Sequence, residues 1–111
     1  MPLPIPSETI DFHASAFQDS EHPGATIYLS AVIKESGTPI ATATVKAKVV
    51  LPDGTTDTVE YMQTHPGHFK GSYKTSLPGT YTFHVHAKGT TLLGASFTRK
   101  KNVTGAVYYG D

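Results

Sequence analysis

The residues best suited to chemistry are His84-Val85-His86. Two imidazoles at positions i and i+2 of an extended segment project to the same side, and such a pair can share a Zn²⁺ or Cu²⁺ ion. A protein zinc site takes at least three protein ligands. The third would come from His68, which follows the turn His65-Pro66-Gly67, or from His65 itself. The plainer reading is a solvated strand face, because Thr82, His84, His86 and Lys88 alternate with Tyr81, Phe83, Val85 and Ala87. No other constellation suggests reactivity. The serines sit in no G-x-S-x-G elbow, and the acids are scattered. Asp53 and Asp57 bracket a turn without the spacing of a Ca²⁺ loop. The glycines lie in turn sequences rather than ahead of a helix, where they would cradle phosphate. We therefore assign no catalytic residue and no cofactor, and expect no enzymatic activity.

The alternation around the histidines leads back to the element that carries them. Pro78-Gly79 is a turn, and from Tyr81 to Lys88 period two holds strictly, the mark of a half-buried strand. Tyr81, Phe83 and Val85 are its core-facing residues. Similar runs are expected at 9–14, 25–33, 43–51, 56–62, 68–75 and 93–99, the last with 102–109 as an extension or a trailing linker. The intervening segments are turn-formers, among them Pro52-Asp53-Gly54, where Pro presets φ, Asp caps and Gly accepts positive φ. Ser15 to Gly24 reads as a polar connection. About seven strands at this spacing predict an all-β antiparallel sandwich of Greek-key type.

Composition narrows the function classes. Lysine plus arginine equals aspartate plus glutamate, nine each, so the formal charge is zero with neutral histidines. A nucleic-acid binder needs a basic stripe, and the run Arg99-Lys100-Lys101 reads instead as a solvated strand end that discourages strand addition. The chain has no cysteine, so no disulfide or thiolate metal site forms. No apolar run of membrane-spanning length occurs. Residues 1–111 are expected to form one domain. Met1-Pro2-Leu3-Pro4-Ile5-Pro6 lacks the pattern of a signal peptide and reads, through residue 7, as an extended polyproline-like arm.

Three segments carry a resemblance. Gly37-Thr38-Pro39-Ile40 through Ala47, the Pro52-Asp53-Gly54 hairpin, and Gly67-His68-Phe69-Lys70-Gly71-Ser72-Tyr73 followed by Pro78-Gly79-Thr80-Tyr81 resemble bacterial immunoglobulin-like and macroglobulin-like sandwich modules of secreted or surface proteins. Tyr81, just after a turn with an apolar residue two places on, has the layout of their tyrosine corner. The cysteine pair and core tryptophan of antibody domains are missing. The resemblance implies an accessory module of a larger extracellular or cell-envelope protein. It would act as a spacer or bind a neighbouring domain or protein ligand, without nucleic acid or membrane insertion. The alternatives are a metal-binding sandwich using His84, His86 and His68, and a carbohydrate-binding module. With no tryptophan, the latter would need Tyr28, Tyr61 and Tyr73 as its sugar platform.

Overall fold

The computed structural model describes residues 10–109, and the expected arm of residues 1–7 lies outside them. Nine strands occur among the described residues: β1 (Ile10–Gln18), β2 (Thr26–Glu35), β3 (Thr38–Pro39), β4 (Thr44–Val50), β5 (Thr56–Glu60), β6 (Met62–His65), β7 (His68–Lys74), β8 (Gly79–Thr90) and β9 (Ser96–Val107). They form two antiparallel sheets. One has the order β1-β2-β7-β6, with β3 on β2; the other has the order β5-β4-β8-β9. The architecture is a β-sandwich. Among the described residues there is no helix, and so none long and apolar enough to cross a membrane.

Period-two sequence makes the two layers meet. Ile27, Leu29, Ala31 and Ile33 of β2 turn inward from the first sheet, and Val45, Ala47 and Val49 of β4 from the second, all at most 4% exposed. Tyr81, Phe83, Val85 and Ala87 of β8 complete the layer and are no more than 1% exposed. The Tyr73 ring of β7 bridges the sheets, with centroids 6.0 Å from Tyr81 and 6.2 Å from Phe83. Its hydroxyl donates to Asp57 Oδ2 of β5 at 3.1 Å.

Four segments differ from the sequence reading. Ser15 to Gln18 continues β1 rather than starting a connection. The inward phase of Ile10 and Phe12 carries on through Ala14 and Ala16, and small residues suffice at a sheet edge. The 56–62 strand breaks at Tyr61, whose N–H donates to Val45 O at 3.0 Å before the chain crosses to the other sheet as β6. Ser36 and Gly37 both take positive φ, 48° and 87°, making a tight turn that lets β3 fold back on β2. The expected start of the last strand, Leu93, sits 93% exposed in the β8–β9 turn, and that strand runs on to Val107. The crossing at Tyr61 and the addition of β3 account for nine strands where seven were expected.

Candidate functional site

The outer face of the β5-β4-β8-β9 sheet holds the histidine pair. Backbone pairing arranges it in rows. Lys46 of β4, His86 of β8 and Lys100 of β9 lie side by side, with Glu60 of β5 beyond Lys46. The next row is Thr58, Lys48, His84 and Asn102, and on the other side Thr44, Lys88 and Thr98. Neighbours within a row are about 4.8 Å apart, and alternate residues along a strand about 6.7 Å apart. His84 is exposed and its Nδ1–H donates to Asn102 Oδ1 at 2.8 Å, while His86 is half-buried. A depression of about 300 Å³ opens beside them, lined by Lys46, Lys48, Thr56, Thr58, His84 and His86 among others.

His68 does not join this pair. It belongs to β7 in the other sheet, opposite Val32 and beside His65, with the two imidazole centroids 6.1 Å apart and edge-on. Phe69 next to it points into the core, so by alternation His68 faces outward from the opposite side of the sandwich. His84 and His86 are thus separated from His68 and His65 by the full thickness of the core. Among the described residues no group of three or more histidine, aspartate or glutamate side chains is placed to hold a metal ion. Tyr81, Phe83 and Val85 occupy the interior, as described above.

Charge is distributed very unevenly. β4, β8 and β9 together carry Lys46, Lys48, Lys88, Arg99, Lys100 and Lys101, six of the nine cationic residues of the chain, and no aspartate or glutamate. Of these, Lys46, Lys48, Lys88 and Lys100 share the outer face with the two histidines. Arg99 lies over the Phe97 ring at 5.8 Å and donates to Thr98 O. Glu60 is the acid at the face's margin; Asp57 lies in the other phase of β5, opposite buried Val49, and is engaged by Tyr73.

The outer face of the other sheet is different. Phe17, Tyr28 and Met62 are 71%, 48% and 73% exposed and rim a depression of about 530 Å³ floored by Ser15, Ser30 and Ser72. Tyr28 is therefore remote from Tyr61 and Tyr73, and the three tyrosines share no platform. Tyr61 lies between the sheets, packed over Gly71. A β-carbon there would come 3.0 Å from Val59 Cγ1 and 3.4 Å from the Tyr61 ring. The Tyr61 hydroxyl is buried without a hydrogen-bond partner, and desolvation pushes its pKa up to about 12. Tyr73 is also raised, by burial first and then by its bond to Asp57. Asp53 is held below the usual carboxylate range by the Thr55 hydroxyl and N–H.

The sequence reading left Phe17 and Met62 unassigned. Phe17 lay in the supposed connection, although continuing the β1 alternation past Ala14 would have turned it outward. For Met62 no signal existed, since its face depends on the crossing at Tyr61.

No protein-family model matches the chain, and no curated protein matches it. Among solved structures it is similar to a DUF4426 family protein from Pseudomonas aeruginosa PAO1. The TM-score is 0.59 at 18% identity, covering 85% of this chain and 89% of that one. At that identity the likeness concerns the fold alone.

Proposed function

We propose that this chain is an immunoglobulin-like Greek-key module without enzymatic activity, part of a larger extracellular or cell-envelope protein, where it serves as a spacer or protein-interaction domain. The strand orders β1-β2-β7-β6 and β5-β4-β8-β9 support the immunoglobulin-like reading. So does Tyr81: its hydroxyl donates to Leu77 O at 2.8 Å and accepts from the N–H groups of Leu77 and Ser76 at 3.0 and 3.2 Å. This ties the connection between the two sheets to the strand that follows, as a tyrosine corner does. The resemblance of residues 37–47, 52–54 and 67–81 to surface-protein modules supplies the cellular setting.

The observation that carries the functional part is the filled interior. Apolar side chains take up the centre between the layers, leaving a depression of about 590 Å³ at the edge by Tyr61 and Phe69, and the histidines singled out for chemistry stand on two outer faces turned away from each other. A rigid body with two differently surfaced faces suits contact with other proteins.

The test assays the purified chain against chromogenic esters, phosphates and glycosides, with and without Zn²⁺, Cu²⁺ and Ca²⁺. Calorimetric titration with Zn²⁺ and Cu²⁺ accompanies it. The expected outcome is no turnover above the buffer blank and no heat of binding that His86→Ala removes. Turnover that a single substitution abolishes would overturn the reading, and saturable Zn²⁺ or Cu²⁺ binding lost in His86→Ala would replace it with the metal-binding alternative.

A further inference from the structure

We infer that the outer face of β4, β8 and β9 binds an extended acidic segment of a protein partner, one with aspartate or glutamate at alternate positions. This rests on the reading of the chain as an interaction module and names the partner's chemistry.

Charge sign is the first argument. A chain of zero formal charge places four lysines and two histidines on one sheet face, where β4, β8 and β9 contain no acid and Glu60 of β5 stands at the margin opposite Lys46. Spreading charges of both signs over the face would give a surface adequate for solubility. Concentrating one sign raises the local potential and draws in an oppositely charged partner.

Spacing is the second. Lys46 and Lys48 follow one another at i and i+2 along β4, as do His84, His86 and Lys88 along β8. Their separation of about 6.7 Å is also that of alternate side chains in any extended peptide. An acidic segment lying along β8 with carboxylates at every second residue therefore keeps in step with Lys46 and Lys48 on one flank and passes Lys100 on the other. Lys46 and Lys100 stand on either side of His86 in one row, so carboxylates directed to either flank meet an ammonium group. The depression lined by Lys46, Lys48, His84 and His86, with Asp57 at its β5 wall already engaged by Tyr73, gives the carboxylates a partly enclosed place, where ion pairs are screened less than on open surface.

The rest of the face selects among anionic partners. Its remaining outward residues include Thr44, Thr82, Thr98, Asn102 and Thr104, with half-buried Val50 and Ala106 toward one end and no phenylalanine, tyrosine or tryptophan. Single-stranded nucleic acids lean on aromatic stacking platforms, and a flat sheet face enters neither groove of a duplex. Membrane surfaces are held by large apolar side chains beside the basic ones, and this face offers only half-buried Val50 and Ala106. Carboxylates of a polypeptide need only ammonium point charges and imidazole N–H donors.

The experiment measures fluorescence anisotropy of a labelled alternating Glu-Thr peptide with the full chain, over a range of salt concentrations. Saturable binding that weakens with salt is expected. Lys46→Glu/Lys48→Glu should weaken it by at least about tenfold, since like charges then face each other. Lys70→Glu/Lys74→Glu, on the other sheet's outer face, should leave it unchanged. Lys46→Gln/Lys48→Gln, which removes charge without reversing it, gives an intermediate loss and guards against misfolding of the first variant. No binding, equal loss in the Lys70/Lys74 variant, or equal or tighter binding of an oligothymidylate or heparin fragment of the same charge would overturn the inference. Absence of peptide binding would leave the non-enzymatic module intact, whereas turnover in the substrate panel would remove the reading beneath both.

Discussion

Two tyrosines with buried hydroxyls have opposite energetics. The Tyr81 hydroxyl satisfies three backbone groups across a connection, so Tyr81→Phe leaves them short of partners and should cost about 1–3 kcal/mol. The Tyr61 hydroxyl is desolvated and unpartnered, so Tyr61→Phe should raise stability by about 1 kcal/mol. Urea denaturation of the two variants checks both signs. The raised Tyr61 pKa also predicts a pH dependence. The folded state holds this proton up to about pH 12, the unfolded chain only to the ordinary phenol value of 10.0. The contribution is complete below pH 10 and lost as pH climbs toward 12. Tyr61→Phe should therefore flatten the alkaline fall in stability, leaving the part due to Tyr73. At this scale the sequence was readable where alternation ran unbroken: the inward phase of Tyr81, Phe83 and Val85 followed from period two alone. The orphaned state of Tyr61 was not readable, because it depends on which atoms arrive from β7.

At the scale of elements, the two sheets are joined at one edge by a side chain. Gln18 at the end of β1 donates through Nε2 to Ala106 O at 2.7 Å and accepts the Ala106 N–H at Oε1, 3.1 Å away. Its amide stands in for a peptide group, extending the ladder of β9 toward a strand of the other sheet. It covers part of an edge that would otherwise offer free backbone groups to another chain. Gln18→Met keeps the length and loses both bonds. The expected cost is about 1–2 kcal/mol, with faster hydrogen exchange at the Ala106 amide as the specific readout. A variant stable to within error and with unchanged exchange would show that the bridge carries no load. Nothing in the sequence announced this bridge, because the partners lie 88 residues apart. The β4–β5 turn is the contrary case. Pro52, Asp53 and Gly54 specify it locally, and Gly54 N–H duly donates to Leu51 O with Gly54 at φ 87°.

For the whole molecule, one shared apolar layer implies that neither sheet persists without the other. β8 illustrates this, being paired on both sides within its own sheet while its inward residues pack against β7 of the other. Unfolding should therefore be a single transition, with far-ultraviolet dichroism and tyrosine fluorescence coinciding. Separate midpoints would mean that the layers are energetically independent. The same scale governs function. His68 and His84 lie 16 residues apart in sequence, yet the layers hold them on opposite faces. Lysines of β4 and β9, far apart in the chain, come to one face because both strands pair with β8.

The sequence by itself determined the class of secondary structure, the turns built on Pro-Gly and Pro-Asp-Gly, and the inward or outward phase of each regular strand. These are set within a few residues by sterics and by period-two burial. Only the tertiary structure decided which strands neighbour one another, where the chain changes sheets at Tyr61, and hence which charges share a face. Strand pairing is a contact between distant segments that period two leaves open. The grouping of Lys46, Lys48, Lys88 and Lys100 on one face arises from that pairing and from no motif within any single strand.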